Sequence, residues 1–207
     1  IMLRMLFALP LFVALAWWAG RGKPPLTARD WRVVIGLGFC GYYLASFLDF
    51  AGLQKYCWRV AGVVGILSAS IFGYTRPETL AYAEKLGLAF QLTNIIRDVG
   101  DDARKGRIYI PVNELQQFNV TAADILNFRH SEKFEALMRF QNERAQRTYD
   151  EALALLPKED RRAQRPGLMM AAIYRTLLDE IARDNFQVLN QRISLTPLRK
   201  LWLAWKT

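Results

Sequence analysis

Gln91-Leu-Thr-Asn94-Ile-Ile-Arg97-Asp98-Val-Gly-Asp101-Asp102-Ala-Arg-Lys-Gly-Arg107-Ile-Tyr109-Ile-Pro111 reads as the end of a helix running into a basic, glycine-containing turn. At 100° per residue, Gln91, Asn94, Asp98 and Asp102 fall within a stripe roughly 80° wide. Leu88, Leu92, Ile95 and Val99 form an apolar stripe beside it. Two carboxylates, two amides and a greasy flank suit the wall of a pocket that holds a metal, a charged head and an apolar tail. Asp98 and Asp102, one turn apart, both offer hard oxygen ligands to a divalent cation such as Mg²⁺. The same spacing also describes an ordinary solvated face, with Arg97, Arg104 and Lys105 as neutralising charges. Against that plainer reading, the amides extend the polar stripe beyond need. The acids also crowd a helix C-terminus, where the macrodipole disfavours anions.

Working outward, 207 residues suffice for one domain with a sizeable core. Thirteen glycines and eight prolines, with no alternating strand runs, predict an all-α protein. Two cysteines, Cys40 and Cys57, match no metal spacing and read as small buried hydrophobes in a reducing compartment. A net charge of +9 is compatible with nucleic acid, anionic membrane or phosphorylated ligands. The basic residues are scattered and no nucleic-acid module appears, so a diphosphate or a membrane surface is the better fit and no nucleic acid is expected. His130 reads as a surface residue.

The run from Gln91 to Pro111 resembles the second aspartate-rich motif of the squalene/phytoene synthase family, the head-to-head prenyl transferases. Upstream, Tyr56-Cys-Trp-Arg-Val60-Ala61-Gly62-Val-Val-Gly65 resembles another segment of that family. Arg165-Pro166, Tyr174-Arg175 and Arg192-Ile-Ser-Leu-Thr-Pro197 look most like its presqualene diphosphate synthase branch, which feeds hopanoid synthesis. The likeness runs from about Lys55 to the C-terminus. It implies a helical bundle of the isoprenoid synthase type, an apolar cavity for two farnesyl or similar prenyl diphosphates, and Mg²⁺ as cofactor. One substrate would ionise, and the double bond of the other would attack the allylic cation. Proton loss would then close a cyclopropane, giving presqualene diphosphate. Carried over, Tyr56, Asp98 and Asp102 take catalytic positions, the two acids as metal ligands. Gln91, Asn94, Arg97, Arg107 and Tyr109 take substrate-binding positions. A phytoene or squalene synthase branch is the alternative. No nucleotide-binding glycine motif appears, so no NADPH site is expected.

Residues 1–54 read differently. Met5–Gly20 and Trp31–Gln54 are apolar runs joined by the basic loop Arg21–Arg29, a membrane-hairpin pattern with that loop cytoplasmic. The stretch from Asp30 to Gln54 resembles part of a drug/metabolite-transporter membrane repeat. A buried helical hairpin is the competing reading, since the first run falls short of the ~20 residues that cross a bilayer. The expectation is therefore two pieces: an apolar helical hairpin over 1–54 in place of the family's N-terminal part, and an incomplete synthase-like domain over 55–207. The protein would sit in the cytoplasm, associated with or inserted in the inner membrane. Opening on Ile1 points to a fragment or a processed product.

Before Tyr56 the only acids are Asp30 and Asp49, and neither has a carboxylate four residues on. The family's first aspartate motif is thus missing. Three function classes remain: a prenyl transferase, an impaired remnant that keeps partial diphosphate binding, and a non-catalytic membrane-associated protein. Downstream, helices are expected over Lys55–Gly73, from Pro77 through Asp102, over Ala122–Phe128, Lys133–Leu156 and Arg165–Leu189, with Lys158–Gln164 a solvated charged link. Trp202 and Trp205, beside Arg199, Lys200 and Lys206, suit a membrane interface or a docked amphipathic tail.

Overall fold

A computed structural model describes residues 50–207, and among these there is no β-strand. The helices are α1 (Phe50–Cys57), α2 (Val63–Phe72), α3 (Glu78–Arg97), α4 (Val99–Ala103), α5 (Val112–Gln117), α6 (Ala122–Leu126), α7 (Glu132–Leu155), α8 (Arg165–Arg183) and α9 (Pro197–Lys206). A π-helical turn, Trp58–Gly62, joins α1 to α2, and a 3₁₀ turn, Gln187–Leu189, follows α8. The apolar runs read as a hairpin lie outside the described residues except for 50–54, where α1 continues unbroken across Gln54–Lys55. No helix among the described residues is long and apolar enough to cross a membrane.

Helix α3 is the centre of the bundle. The π turn, α2, α7 and α8 all pack against it. Its buried residues, among them Tyr82, Leu86, Ala89, Leu92, Ile95 and Ile96, point to nearly every side, the pattern of a helix enclosed by others. Small residues let the second layer come close. A Cβ at Gly65 would stand 2.4 Å from the Ala83 carbonyl oxygen, and one at Gly87 would stand 2.6 Å from that of Ala61. Backbone therefore meets backbone between α3 and the preceding segment. Cys57 is fully buried, and burial pushes its thiol up to about 12, so it behaves as a core hydrophobe.

The start of α3 is fixed from a distance. Pro77 pre-sets the first turn, but the orphan donors ahead of it go to Asp160, in the segment between α7 and α8. Its carboxylate accepts from Thr75 N (2.8 Å), Thr75 Oγ1 (2.7 Å), Arg76 N (3.0 Å) and Thr79 Oγ1 (2.6 Å). The segment expected to be a solvated link is thus partly core: Asp160 is 1% exposed and Gln164 2%, Gln164 donating to the Gly73 carbonyl at 2.9 Å. An anion here also faces the positive end of the α3 macrodipole.

The Asp160 carboxyl is held well below the usual range, the four donors outweighing its burial. A depressed folded-state pKa gives stability that is present above the unfolded value of about 4 and lost as pH falls through the folded one. Asp160→Asn is expected to lower Tm at neutral pH by roughly 5–10 °C, because a buried network loses its charge-assisted bonds. Its melting temperature should also fall less than that of the wild type between pH 5 and pH 3, since the group that titrates is gone; thermal melts across that range test both.

Two further boundaries differ from expectation. The helix from Pro77 to Asp102 breaks at Asp98 (φ −100°, ψ 11°), which separates α3 from α4. The helix expected to reach Leu189 ends at Arg183, where Asn185 and Phe186 take left-handed backbone angles (φ 50° and 55°). Along this helix Leu177 and Ile181 are buried, while Met170 is 43% exposed.

Candidate active site

Seven of the eight candidate residues line one pocket of about 240 Å³: Tyr56 from α1, Gln91, Asn94 and Arg97 from α3, Asp98 at the break, Asp102 from α4, and Tyr109. The polar stripe survives the break because Asp102 N still donates to the Asp98 carbonyl at 2.8 Å, so the one-turn spacing of the two acids is kept. Beyond α4 the chain reverses at Gly106 (φ 69°), with Lys105 N and Arg107 N both donating to the Asp102 carbonyl at 2.9 Å. The reversal brings Tyr109 back to stack on Tyr56, ring centroids 5.6 Å apart. Arg107 stands apart from this lining: its backbone closes the turn, and its charge acts on the Asp102 carboxyl from outside the pocket.

The two acids have different electrostatics. Partial burial pushes Asp98 up, but Arg97 and Arg192 more than reverse it, leaving the carboxyl below its ordinary value. Arg97 holds it with Nε on Oδ1 at 2.8 Å and Nη2 on Oδ2 at 2.5 Å, a two-pronged contact. Arg192 Nε adds a bond to Oδ1 at 3.1 Å. Asp102 is raised, by burial first and then by Asp98 and Asp101, against the pull of Lys105 and Arg107. The Tyr56 phenol is raised by burial and then by Tyr109, so it stays an O–H donor at working pH.

Nothing local in the sequence marks Arg192 as a partner of Asp98, since it lies 94 positions from the acid it meets. It arrives through the 3₁₀ turn, which sits on α4: a Cβ at Gly100 would come within 2.4 Å of the Leu189 carbonyl oxygen and 2.5 Å of that of Val188. A second pocket of about 360 Å³, lined by Arg97, Tyr174, Arg192 and Lys200 among others, shares Arg97 with the first. One helical turn back along α3, between it and the π turn, α2 and α8, lies an apolar cavity of about 300 Å³, lined by Val60, Ala61, Val64, Leu86 and Phe90 among others. Ala61 and Gly65 both border the cavity and lie against α3.

The donor set of the first pocket is chemically suited to Mg²⁺, with two carboxylates and two amide oxygens and no soft ligand. Among the described residues, no group of three or more acids, histidines or cysteines is gathered so as to hold a metal by itself. Any such ion would draw further oxygens from a ligand or from water.

The profile of the squalene/phytoene synthase family matches residues 9–199, so it also takes in most of the stretch upstream of Lys55. Phytoene synthase of Arthrospira platensis is 38% identical over 196 residues, covering 87% of this chain and 62% of the relative. The 15-cis-phytoene synthase of a Synechocystis strain is 33% identical over 196 residues, with coverages of 87% and 58%. The chain thus spans about three fifths of the length of these relatives. Among solved structures, a dehydrosqualene synthase in complex with ligand superposes with a TM-score of 0.65 at 28% identity, over 78% of this chain and 57% of that one. The squalene synthase HpnC of Alicyclobacillus acidocaldarius gives 0.59 at 27%, over 68% and 53%.

Proposed function

The chain belongs to the squalene/phytoene synthase family, and from that premise we propose that it carries the diphosphate-binding half of a head-to-head prenyl transferase. The observation that bears most weight is the common pocket of Asp98, Asp102, Gln91, Asn94, Arg97 and Tyr56 next to an apolar cavity. Asp98 and Asp102 would hold Mg²⁺. The ion, when bound, supplies positive charge to the leaving diphosphate and orients it.

The chain's own residues do the rest. Arg97 and Arg192 offer fork-shaped donors to phosphate oxygens. Neutral Tyr56 donates a hydrogen bond toward the same oxygens and stacks on Tyr109, which holds its ring in place. Leu86 and Phe90 give the prenyl chain an apolar wall, with Val60 and Val64 at its solvent-facing rim; an allylic cation must be kept from water, which would quench it. The reaction we favour joins two farnesyl diphosphates to presqualene diphosphate, as the motifs around Tyr174 and Arg192 suggest. The phytoene synthase relatives favour a longer, C20 substrate, and this is the second reading.

Binding of an unreactive farnesyl diphosphate analogue tests the assignment. The affinity is expected to depend on Mg²⁺ and to collapse when the ion is chelated. Asp98→Asn should weaken Mg²⁺-dependent binding by about 10- to 100-fold. Equal affinity in all conditions, wild type and variant alike, would remove the assignment; a geranylgeranyl analogue run alongside ranks the two substrate readings.

A further inference from the structure

Helix α9 turns a fully apolar face outward. Leu198, Leu201, Trp202 and Trp205 are 79, 67, 53 and 80% exposed, and at 100° per residue they share an arc about 100° wide. The helix is nonetheless held down. Thr196 caps it by accepting from Arg199 N at 3.4 Å, Leu203 packs on the core from the other side, and Arg199 Nη2 reaches Glu180 Oε1 on α8 at 2.7 Å. The face is therefore presented by a docked element rather than a frayed end.

Charge decides what fits it. Residues 192–207 contain Arg192, Arg199, Lys200 and Lys206 and no acid, in a chain of net charge +9. Lys206 Nζ lies 5.1 Å from the Trp202 ring centroid, its stem along the apolar face and its ammonium at the edge. Tryptophan is the side chain that prefers the boundary between headgroups and acyl chains, and flanking cations find lipid phosphates there. A second copy of the chain is a poor occupant, because an isologous contact would set two such cationic tails against each other.

We propose that α9 docks in the plane of an anionic lipid bilayer, with Leu198, Leu201, Trp202 and Trp205 sunk to the acyl boundary and Lys206 at the phosphates. Ten residues make a helix of about 15 Å, too short to span, so it lies on the surface. Lys200, about 150° round the helix from the centre of that face, lines the pocket that holds Arg97 and Arg192, so docking would hold that pocket about one helix diameter from the lipid. None of this depends on which diphosphate the site takes.

Co-sedimentation of the full chain tests it, using phosphatidylcholine vesicles with and without phosphatidylglycerol. The wild type should pellet with the anionic vesicles and be released by salt. Leu201→Ser/Trp205→Ser should bind at least about tenfold more weakly, with an unchanged thermal melt because both side chains are exposed. Trp202→Phe/Trp205→Phe should keep most of the binding yet lose much of the tryptophan quenching by brominated lipid. The apolar residues before Phe50 are common to every variant, so the differences report on α9. Serine-variant binding within about twofold of wild type would overturn the proposal, as would equally tight, salt-independent binding to pure phosphatidylcholine. A dimer abolished by the same substitutions would also overturn it.

Discussion

Glu114→Ala should lower the free energy of unfolding by about 3–5 kcal/mol, because it strips the anion from a buried ion pair and leaves the cation behind. Glu114, on α5, is 3% exposed. Its carboxylate accepts from Arg144 Nη2 at 2.6 Å and from Gln141 Nε2 at 2.5 Å, both on α7. The Arg144 guanidinium in turn lies 4.6 Å from the Phe140 ring centroid, and Phe140 meets Phe118 at 5.3 Å. This cluster clamps the segment after the Gly106 reversal, five residues beyond Tyr109, to α7, the longest of the described helices. Urea unfolding with a constant m-value measures the loss. Glu114→Leu combined with Arg144→Met should recover much of it, since a buried pair replaced whole by apolar groups costs little. A loss of under about 1 kcal/mol in Glu114→Ala would mean that the pair is effectively hydrated.

The largest effect is expected in turnover. The chain should convert farnesyl diphosphate to presqualene diphosphate at a rate lower by at least ~10²–10³ than a chimera that carries a second acidic pair, one turn apart, on a family segment ahead of Lys55, since each missing charge-stabilising group in such a site costs about that much. Asp98 and Asp102 are one acidic pair; before Tyr56 only Asp30 and Asp49 are available to form another. Labelled substrate, Mg²⁺ and separation of lipid products give the rate. Robust turnover by the unaltered chain, abolished by Asp98→Ala, would show that other carboxylates complete the site. A chimera as inactive as the parent, yet folded by circular dichroism, would show that residues 55–207 do not carry their share.

What could be read in advance follows the range of the interactions. Helices α7 and α8 are written in local periodicity, while α3, apolar on most sides, is marked at its start by Pro77, which needs no partner to be recognised. The stripe of Gln91, Asn94, Asp98 and Asp102 is likewise local, fixed by helix geometry over twelve residues. The break at Asp98 leaves no mark in the 3.6-residue pattern, nor does the tertiary contact two residues on, where Gly100 is pressed against residues 188–189. Asp160 is invisible for the same reason. Within a run of lysine, glutamate, aspartate and arginine it reads as solvated, and only the fold supplies four donors from more than 80 positions upstream. Arg192 could be quoted as part of a motif, but its meeting with Asp98 belongs to topology.

The seat of the 3₁₀ turn on Gly100 has a consequence for how the site responds to a ligand. Main-chain atoms touch main-chain atoms there, and such a contact has no rotamer to change and almost no slack. The base from which Arg192 extends is thereby registered to α4 before anything binds, and the ordering entropy of that loop is already spent during folding. An incoming anion then meets two guanidiniums that have only to swing their side-chain ends from Asp98. The one loop contact that carries Arg192 to the acid is thus made in folding, and a ligand has only side-chain ends left to order.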